Sequence, residues 1–278
     1  DDPWREAAVI LKACGRQIVP APLAETLAAG ALLAAAGLEP VDGALTLAMP
    51  AAAALAIGDD GRVSGRLSRL AWGRRAGHVV APVDGALVVL PVAAARIEED
   101  RSVGREPRDT LVFEHTAAVA TAASGDGPLM QFGALARSAQ MAGAIEAILA
   151  MTVQYARERK QFGKPIGSFQ AVKHRLANVA VPLEYAKAVV YRAAYSIAND
   201  HPDAALHVSH AKLAASEASL LGAKNGIQVH GAMGYTWEVD MHIFMKKAWA
   251  LNNTWGDVAF HKNRVADFVL ADGARIGA

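Results

Sequence analysis

The chain has 278 residues, which is long enough to bury the core of one large domain or two modest ones. A formal net charge of +1 gives no field that would attract nucleic acid or an anionic membrane, and 53% apolar residues exclude a disordered chain. A single cysteine excludes an internal disulfide framework, and the lack of an apolar run of about 20 residues excludes a membrane span. No signal peptide is recognised, so we expect a soluble cytoplasmic protein.

Two helices are predicted within residues 1–42. Apolar residues spaced three and four apart, as on one helical face, begin with Ala7, Ile10, Leu11 and Cys14. Gly15 is expected to end this first helix, and a second pattern from residue 23 to residue 34 closes at Gly37.

Residues 43–126 change to short β runs separated by Gly, Asp and Pro, and we predict a small antiparallel β domain there. Asp59-Asp-Gly and Asp84-Gly are typical of hairpin turns. The predicted strands are Leu45–Met49, Arg62–Leu70, His78–Pro82, Ala86–Pro91 and Thr110–Val112.

Helical periodicity returns at residue 127 and predicts a C-terminal bundle over residues 127–278. Its first helix is expected to end at about Arg159, with Gly163 and Pro165 stopping it. The later helices are predicted from Phe169 to Ile197, from the His201-Pro-Asp turn toward Gly226, from Val239 to Ala250 and from Gly256 to Leu270.

Four cations crowd the end of the first bundle helix, namely Arg157, Arg159, Lys160 and Lys164. One interpretation is that they complement the helix dipole and solvate a surface, which spacing alone favours. The other is that the planar fork of Arg159 beside Phe162 forms a site for a nucleotide pyrophosphate and its ring.

Two segments carry a family resemblance. The first reads Arg-Lys-Gln-Phe-Gly-Lys-Pro-Ile from Arg159 and continues with Ser-Phe-Gln-Ala-Val-Lys-His-Arg-Leu-Ala from Ser168; the second reads Gly-Ile-Gln-Val-His-Gly-Ala-Met-Gly-Tyr-Thr-Trp-Glu from Gly226. Both resemble the acyl-CoA dehydrogenase flavoproteins, specifically so from about residue 129 to residue 272. The resemblance implies a mainly α fold: truncated N-terminal helices at 1–42, a middle antiparallel β domain at 43–126, and a C-terminal helical bundle at 127–278.

In that family the two segments hold the ADP half of an FAD that belongs to the neighbouring subunit. The resemblance therefore implies a shared FAD, with the Arg fork on its pyrophosphate and an aromatic ring against its adenine or flavin face. An alanine replaces the second glycine that is usual in the Gln-x-x-Gly turn. The implied cofactor-binding residues are Arg159, Gln161, Phe162, Gln228, His230, Gly231 and Ala232.

The catalytic base that the family requires has no counterpart. Most members carry a Glu in a loop that here falls on Trp255, or on Asn252, Asn253 or Asp257 if the alignment shifts. A minority carry the base at a position matching Gly133, and no carboxylate lies between residues 127 and 145. The family's flavin loop is replaced by Met-Pro-Ala-Ala-Ala-Ala-Leu at residues 49–55. We therefore predict no catalytic residue here, with Asp257 only a remote substitute.

Three hypotheses stay open. The first is a subunit of an α2β2 acyl-CoA dehydrogenase, of the kind the family uses in actinobacterial steroid side-chain catabolism, whose partner supplies the base and the acyl pocket. The second is a scaffold without a flavin role, and the third a stand-alone dehydrogenase with an unrecognised base. No metal site is predicted, because His207 and His210 are three apart but no third ligand is recognised nearby.

Overall fold

The computed structural model describes residues 3–123 and 127–271. Its helices are α1 Pro3–Gln17, α2 Leu23–Ala35, α3 Gly127–Glu158, α4 Gln170–Ala198, α5 Ala204–His230, α6 Met241–Asn252 and α7 Val258–Leu270. Its strands are β1 Leu45–Leu47, β2 Ala53–Ile57, β3 Val63–Ala71, β4 His78–Val83, β5 Ala86–Pro91, β6 Arg96–Glu98, β7 Arg108–Thr116, β8 Ala120–Ala123, β9 Lys160–Gln161 and β10 Lys164–Pro165. A mainly helical chain with a small β region confirms the predicted fold class.

Close contacts group the chain into two compact units. The first, called the helical unit here, contains the described residues up to Val19 and those from Arg137 onward. The second, called the β unit, contains Pro20–Ala136. The division into three domains at residues 42 and 126 stays a prediction.

The β unit contains two four-stranded sheets, in the orders β1-β4-β5-β8 and β2-β3-β7-β6. Strands β3, β4, β5 and β7 contribute to one core, because their buried faces carry Leu67, Val79, Val88, Leu111 and Phe113. Every pairing within these sheets is antiparallel except that of β1 with β4, which is parallel.

The predicted turn chemistry is confirmed. Asp84 and Gly85 have φ of +47° and +77° and join β4 to β5 as a two-residue hairpin. Gly61, with φ +72°, lies in the turn that joins β2 to β3. Five strands were not predicted: β2 and β8, which are rich in alanine, and the short β6, β9 and β10. Alanine has a low strand propensity, so only pairing with a neighbour reveals such strands.

In the helical unit, α1 crosses α3 at two glycines. The predicted stop at Gly15 is wrong, because this residue lies inside α1 against the carbonyl of Gln140. A Cβ built on Gly15 would lie 1.9 Å from that oxygen, and one built on Gly143 would lie 1.8 Å from the carbonyl of Lys12. The missing side chains let the two backbones touch, so Gly15 serves packing rather than capping.

The long α4 and α5 pack together, with α6 and α7 against α5. Pro182 lies inside α4. Among the described residues, no helix combines the length and the apolar character that crossing a membrane requires.

Candidate cofactor site and vacant base position

A short hairpin follows α3 and carries the first family segment. Strands β9 and β10 pair antiparallel, with Lys164 opposite Gln161. At the tip, Phe162 and Gly163 have φ of +53° and +78°, and positive values at both residues are what a type I′ turn requires. The helix thus ends at Glu158, and Gly163 forms the hairpin tip instead of the predicted helix cap.

The Phe162 ring stands out from this tip and is 92% exposed. Its edge meets Phe169, with ring centroids 6.1 Å apart and planes at 89°. The ammonium of Lys164 lies 4.6 Å from the centre of the Phe169 ring. An aromatic ring held in solvent on a left-handed backbone is typical of a residue that is covered when something binds.

The polar residues expected to hold the nucleotide are exposed and available. Arg159 and Gln161 lie on the hairpin segment, and Gln228 lies in the last turn of α5. Within the part of the chain that the structure describes, nothing hydrogen bonds or forms an ion pair with these three side chains. A free guanidinium fork and two free carboxamides suit a pyrophosphate and the polar edge of a base.

His230 connects the two segments from inside. Its buried ring stacks on Tyr155, with centroids 4.4 Å apart and planes at 24°, and the Tyr155 hydroxyl donates to the His230 carbonyl at 3.4 Å. Nδ1 of His230 donates to the Gly226 carbonyl at 2.8 Å, and burial lowers the pKa of this imidazole. Because Tyr155 is one turn before Arg159, the stack fixes the end of α3 against the end of α5.

Gly231 ends α5 with φ +62° and ψ −139°, a combination close to the region that only glycine adopts readily. A Cβ built there would meet nothing within 4 Å, so the backbone is uncovered. Ala232 follows, exposed, in the 3₁₀ turn Gly231–Tyr235. An open glycine backbone is what close approach of a phosphate needs.

The expected base position lies in a closed loop between α6 and α7. Trp255 there has φ +59° and is 4% exposed. Nζ of Lys212 donates to the carbonyls of Asn252 and Gly256 at 3.0 and 2.9 Å, and Nε2 of His261 donates to the Trp255 carbonyl at 2.8 Å. Gly256 has φ +85°, and a Cβ on it would lie 2.4 Å from Nε2 of His261.

Lys212 and His261 donate hydrogen bonds to the carbonyls of this loop, and the sequence did not reveal this role. Lys212 is fully buried in α5, and its third contact is with Oγ of Ser216 at 3.4 Å. Burial, followed by the charge of Arg137, lowers the pKa of Lys212 to about 7, and burial lowers the pKa of His261 to about 4. A lysine within an alanine-rich helix gives no sequence signal, because only tertiary packing brings the loop carbonyls to it.

The candidate substitute base, Asp257, has another partner, and so do two ordinary helix carboxylates, Glu146 and Glu184. Oδ1 of Asp257 accepts the backbone N–H of Phe260 at 2.8 Å and caps the start of α7. Glu146 and Glu184 both pair with Lys187, at 3.4 and 2.7 Å. These acids therefore serve helix ends and the surface of the bundle.

The other features expected near a flavin or a base lie in the β unit. Gly133, the second base position, is buried in α3. Residues 49–55, which stand in place of the flavin loop, form the 3₁₀ turn Pro50–Ala52 and the first residues of β2. Trp72 is 8% exposed, as for a packed core residue.

Comparison with known proteins gives concordant results. Residues 128–270 match the family model described as "Acyl-CoA dehydrogenase, C-terminal domain". The chain is 38% identical to acyl-CoA dehydrogenase IpdE2 of Mycobacterium tuberculosis over 252 residues, which cover 87% of this chain and 71% of that protein.

Two solved structures share the fold at 24% identity and a TM-score of 0.85 each. The first is the ChsE4-ChsE5 complex from Mycobacterium tuberculosis, with 96% of this chain and 80% of that chain covered. The second is a variant of the Tcur3481-Tcur3483 steroid acyl-CoA dehydrogenase, with 97% and 81% covered.

Proposed function

The chain belongs to the acyl-CoA dehydrogenase family, and from this premise we propose that it is the base-lacking subunit of a heteromeric FAD-dependent acyl-CoA dehydrogenase. Its partner is a base-bearing chain of the same family, and the two assemble as an α2β2 heterotetramer. The substrate is an acyl-CoA thioester, of which a steroid side-chain CoA is the specific case. The acyl pocket and the base lie in the partner.

The observation that carries this proposal is the loop around Trp255. Removal of the proton α to a thioester needs a carboxylate whose pKa is tuned to the task. Here a buried indole occupies the expected position, and Lys212 and His261 hold the loop carbonyls from inside. A closed loop without a Glu does not suit this step, and we therefore assign the base to a second chain.

The residues present fit the ADP half of FAD. When bound, FAD accepts the hydride that leaves the β carbon of the acyl chain. The Arg159 fork binds the pyrophosphate, Phe162 covers a ring face, and Gln161 and Gln228 bind polar edges. Gly231 gives its backbone access to a phosphate, and the exposed Ala232 extends the same turn; His230 keeps both segments in place from beneath.

Two named relatives support the quaternary part of the proposal. The ChsE4-ChsE5 structure, which shares the fold, is a complex of two differently named chains. The Tcur3481-Tcur3483 structure, which also shares the fold, is described as a steroid acyl-CoA dehydrogenase. This chain keeps the residues that would bind the nucleotide of a neighbouring subunit. It lacks the base and the flavin loop that would act on a flavin of its own, so it suits a complex of two different subunits.

The test is the FAD content of the chain alone and in complex. We expect the chain alone to bind little FAD and to oxidise no acyl-CoA. Co-expressed with a base-bearing acyl-CoA dehydrogenase chain from the same organism, the complex should contain one FAD per heterodimer, measured from flavin absorbance and protein mass. A yellow homo-oligomer that turns over a CoA thioester would contradict the proposal, as would one FAD per chain in the complex.

A further inference from the structure

We infer that His201, Asp203 and His207, where α4 passes into α5, form a site for a divalent transition metal such as Zn²⁺ or Co²⁺, which Arg192 caps in the metal-free chain. One ligand atom from each of the three side chains lies within 4.8 Å of the others. Two imidazoles and a carboxylate are donors that these ions prefer. The site shares no residue with the proposed flavin site or the α6–α7 loop.

The turn between the helices brings the three donors together. Asp200, with φ +47°, reverses the chain after α4, and the backbone N–H of His201 donates to the Ser196 carbonyl at 2.9 Å. Nδ1 of His201 accepts the backbone N–H of Asp203 at 3.0 Å. The His201 ring then lies 4.9 Å from that of His207, at 46°. A hydrogen-bonded turn, rather than two mobile side chains, thus sets the spacing.

The internal contacts of His207 orient it as a ligand. Nδ1 lies 2.7 Å from Oγ of Ser196, and that hydroxyl donates to the Arg192 carbonyl at 2.8 Å. Because the hydroxyl proton is committed to the carbonyl, Nδ1 must donate to Oγ, and Nε2 is left with its lone pair. Such a second partner fixes the tautomer of metal-binding histidines.

The lone pair of His207 is taken by Arg192, whose NH2 lies 2.8 Å from Nε2. Arg192 is exposed on α4, so its side chain can turn into solvent when a metal replaces it. Asp203 offsets the positive end of α5, which otherwise opposes a bound cation. Removing the Arg192 side chain should therefore strengthen metal binding. If the cluster served only packing, the same substitution would delete a hydrogen bond and have no effect on metal binding.

His210 provides a matched control. It lies one turn after His207 on the same helix, but its Nε2 is 2.6 Å from the Tyr185 hydroxyl and it is not one of the three converging residues. Its loss removes an imidazole without removing one of the three proposed ligands.

The experiment is a Co²⁺ titration of the full chain, purified without a histidine tag and treated with EDTA, followed by visible absorption. We expect one saturable Co²⁺ per chain, several-fold tighter in Arg192→Ala, strongly weakened in His201→Ala and unchanged in His210→Ala. His201 is exposed, so its substitution leaves the fold intact, and unfolding by circular dichroism checks this. The proposal is overturned if neither the natural chain nor Arg192→Ala shows saturable absorption, or if Arg192→Ala does not bind more tightly. Equal loss in His201→Ala and His210→Ala would also overturn it.

Discussion

At the scale of single residues, Arg159 distinguishes a flavin role from a structural one. Its guanidinium is exposed and has no partner among the described residues, which favours a ligand over a role in helix stability. If it binds the pyrophosphate of the partner's FAD, Arg159→Ala should lose about 1.5–3 kcal/mol, or roughly ten- to a hundredfold in flavin affinity. Arg159→Lys should recover part of this, because a point charge cannot make the paired contact. Flavin fluorescence of the dialysed complex measures the loss.

Arg157 is the control for this prediction. It is also an exposed arginine at the end of α3, and Arg157→Ala removes the same charge from the same helix end. Equal FAD loss in both variants would indicate a general charge effect. Equal FAD content in the natural and Arg159→Ala complexes would favour the scaffold hypothesis.

His261 should make the stability of the chain depend on pH. Its pKa is lowered by burial from 6.5 to about 4, so between these values the unfolded chain binds a proton that the folded chain does not. The free energy of unfolding should therefore fall as pH falls from 6.5 to 4, by up to about 1.4 kcal/mol per pH unit.

The variant His261→Gln isolates this contribution, because an amide can still donate to the Trp255 carbonyl without titrating. Other histidines with lowered pKa, such as His207 and His230, titrate in both proteins and cancel in the difference. Urea unfolding at a series of pH values should show a shallower dependence in the variant. Parallel curves for the two proteins would show that His261 does not carry the effect.

At the scale of elements, the α1–α3 crossing depends on glycine. Gly15→Ala and Gly143→Ala each place a methyl group less than 2 Å from a carbonyl oxygen of the facing helix. Neither backbone can yield without moving its helix, so we expect a loss of stability of about 3 kcal/mol or more. The midpoint of urea unfolding measures it.

Gly30 in α2 is the matched control, since it is a helical glycine whose added Cβ would meet nothing within 4 Å. Gly30→Ala should raise stability by about 0.5–1 kcal/mol, because alanine has less backbone freedom to lose. Similar effects at all three glycines would mean that helix propensity alone, and not the crossing, is being measured.

At the scale of the whole molecule, FAD should stabilise the complex but not the chain alone. A ligand at 100 times its Kd stabilises the state that binds it by about 2.7 kcal/mol. We therefore expect added FAD to raise the Tm of the FAD-depleted complex and to leave that of the isolated chain unchanged. An equal rise in the isolated chain would place a complete flavin site in this chain and contradict the shared one.

The sequence by itself determined the family, the mainly helical fold and most of the helix bounds. Local signals carried these results: the spacing of apolar residues from Phe169 to Ile197 marks α4, and the Asp84-Gly turn marks a hairpin. The absence of a Glu at the two base positions is also a property of the sequence. All of these depend on residues near one another in the chain.

Only the tertiary structure decided what several of the same residues do. Gly15 looked like a helix end and is a contact with α3; the His207 cluster gains its geometry from a turn and from Ser196. Lys212 acquires its role only because the loop carbonyls, some forty residues away, fold onto it. Long-range partners like these determine burial, pKa and hydrogen bonding, and residue spacing along the chain does not encode them.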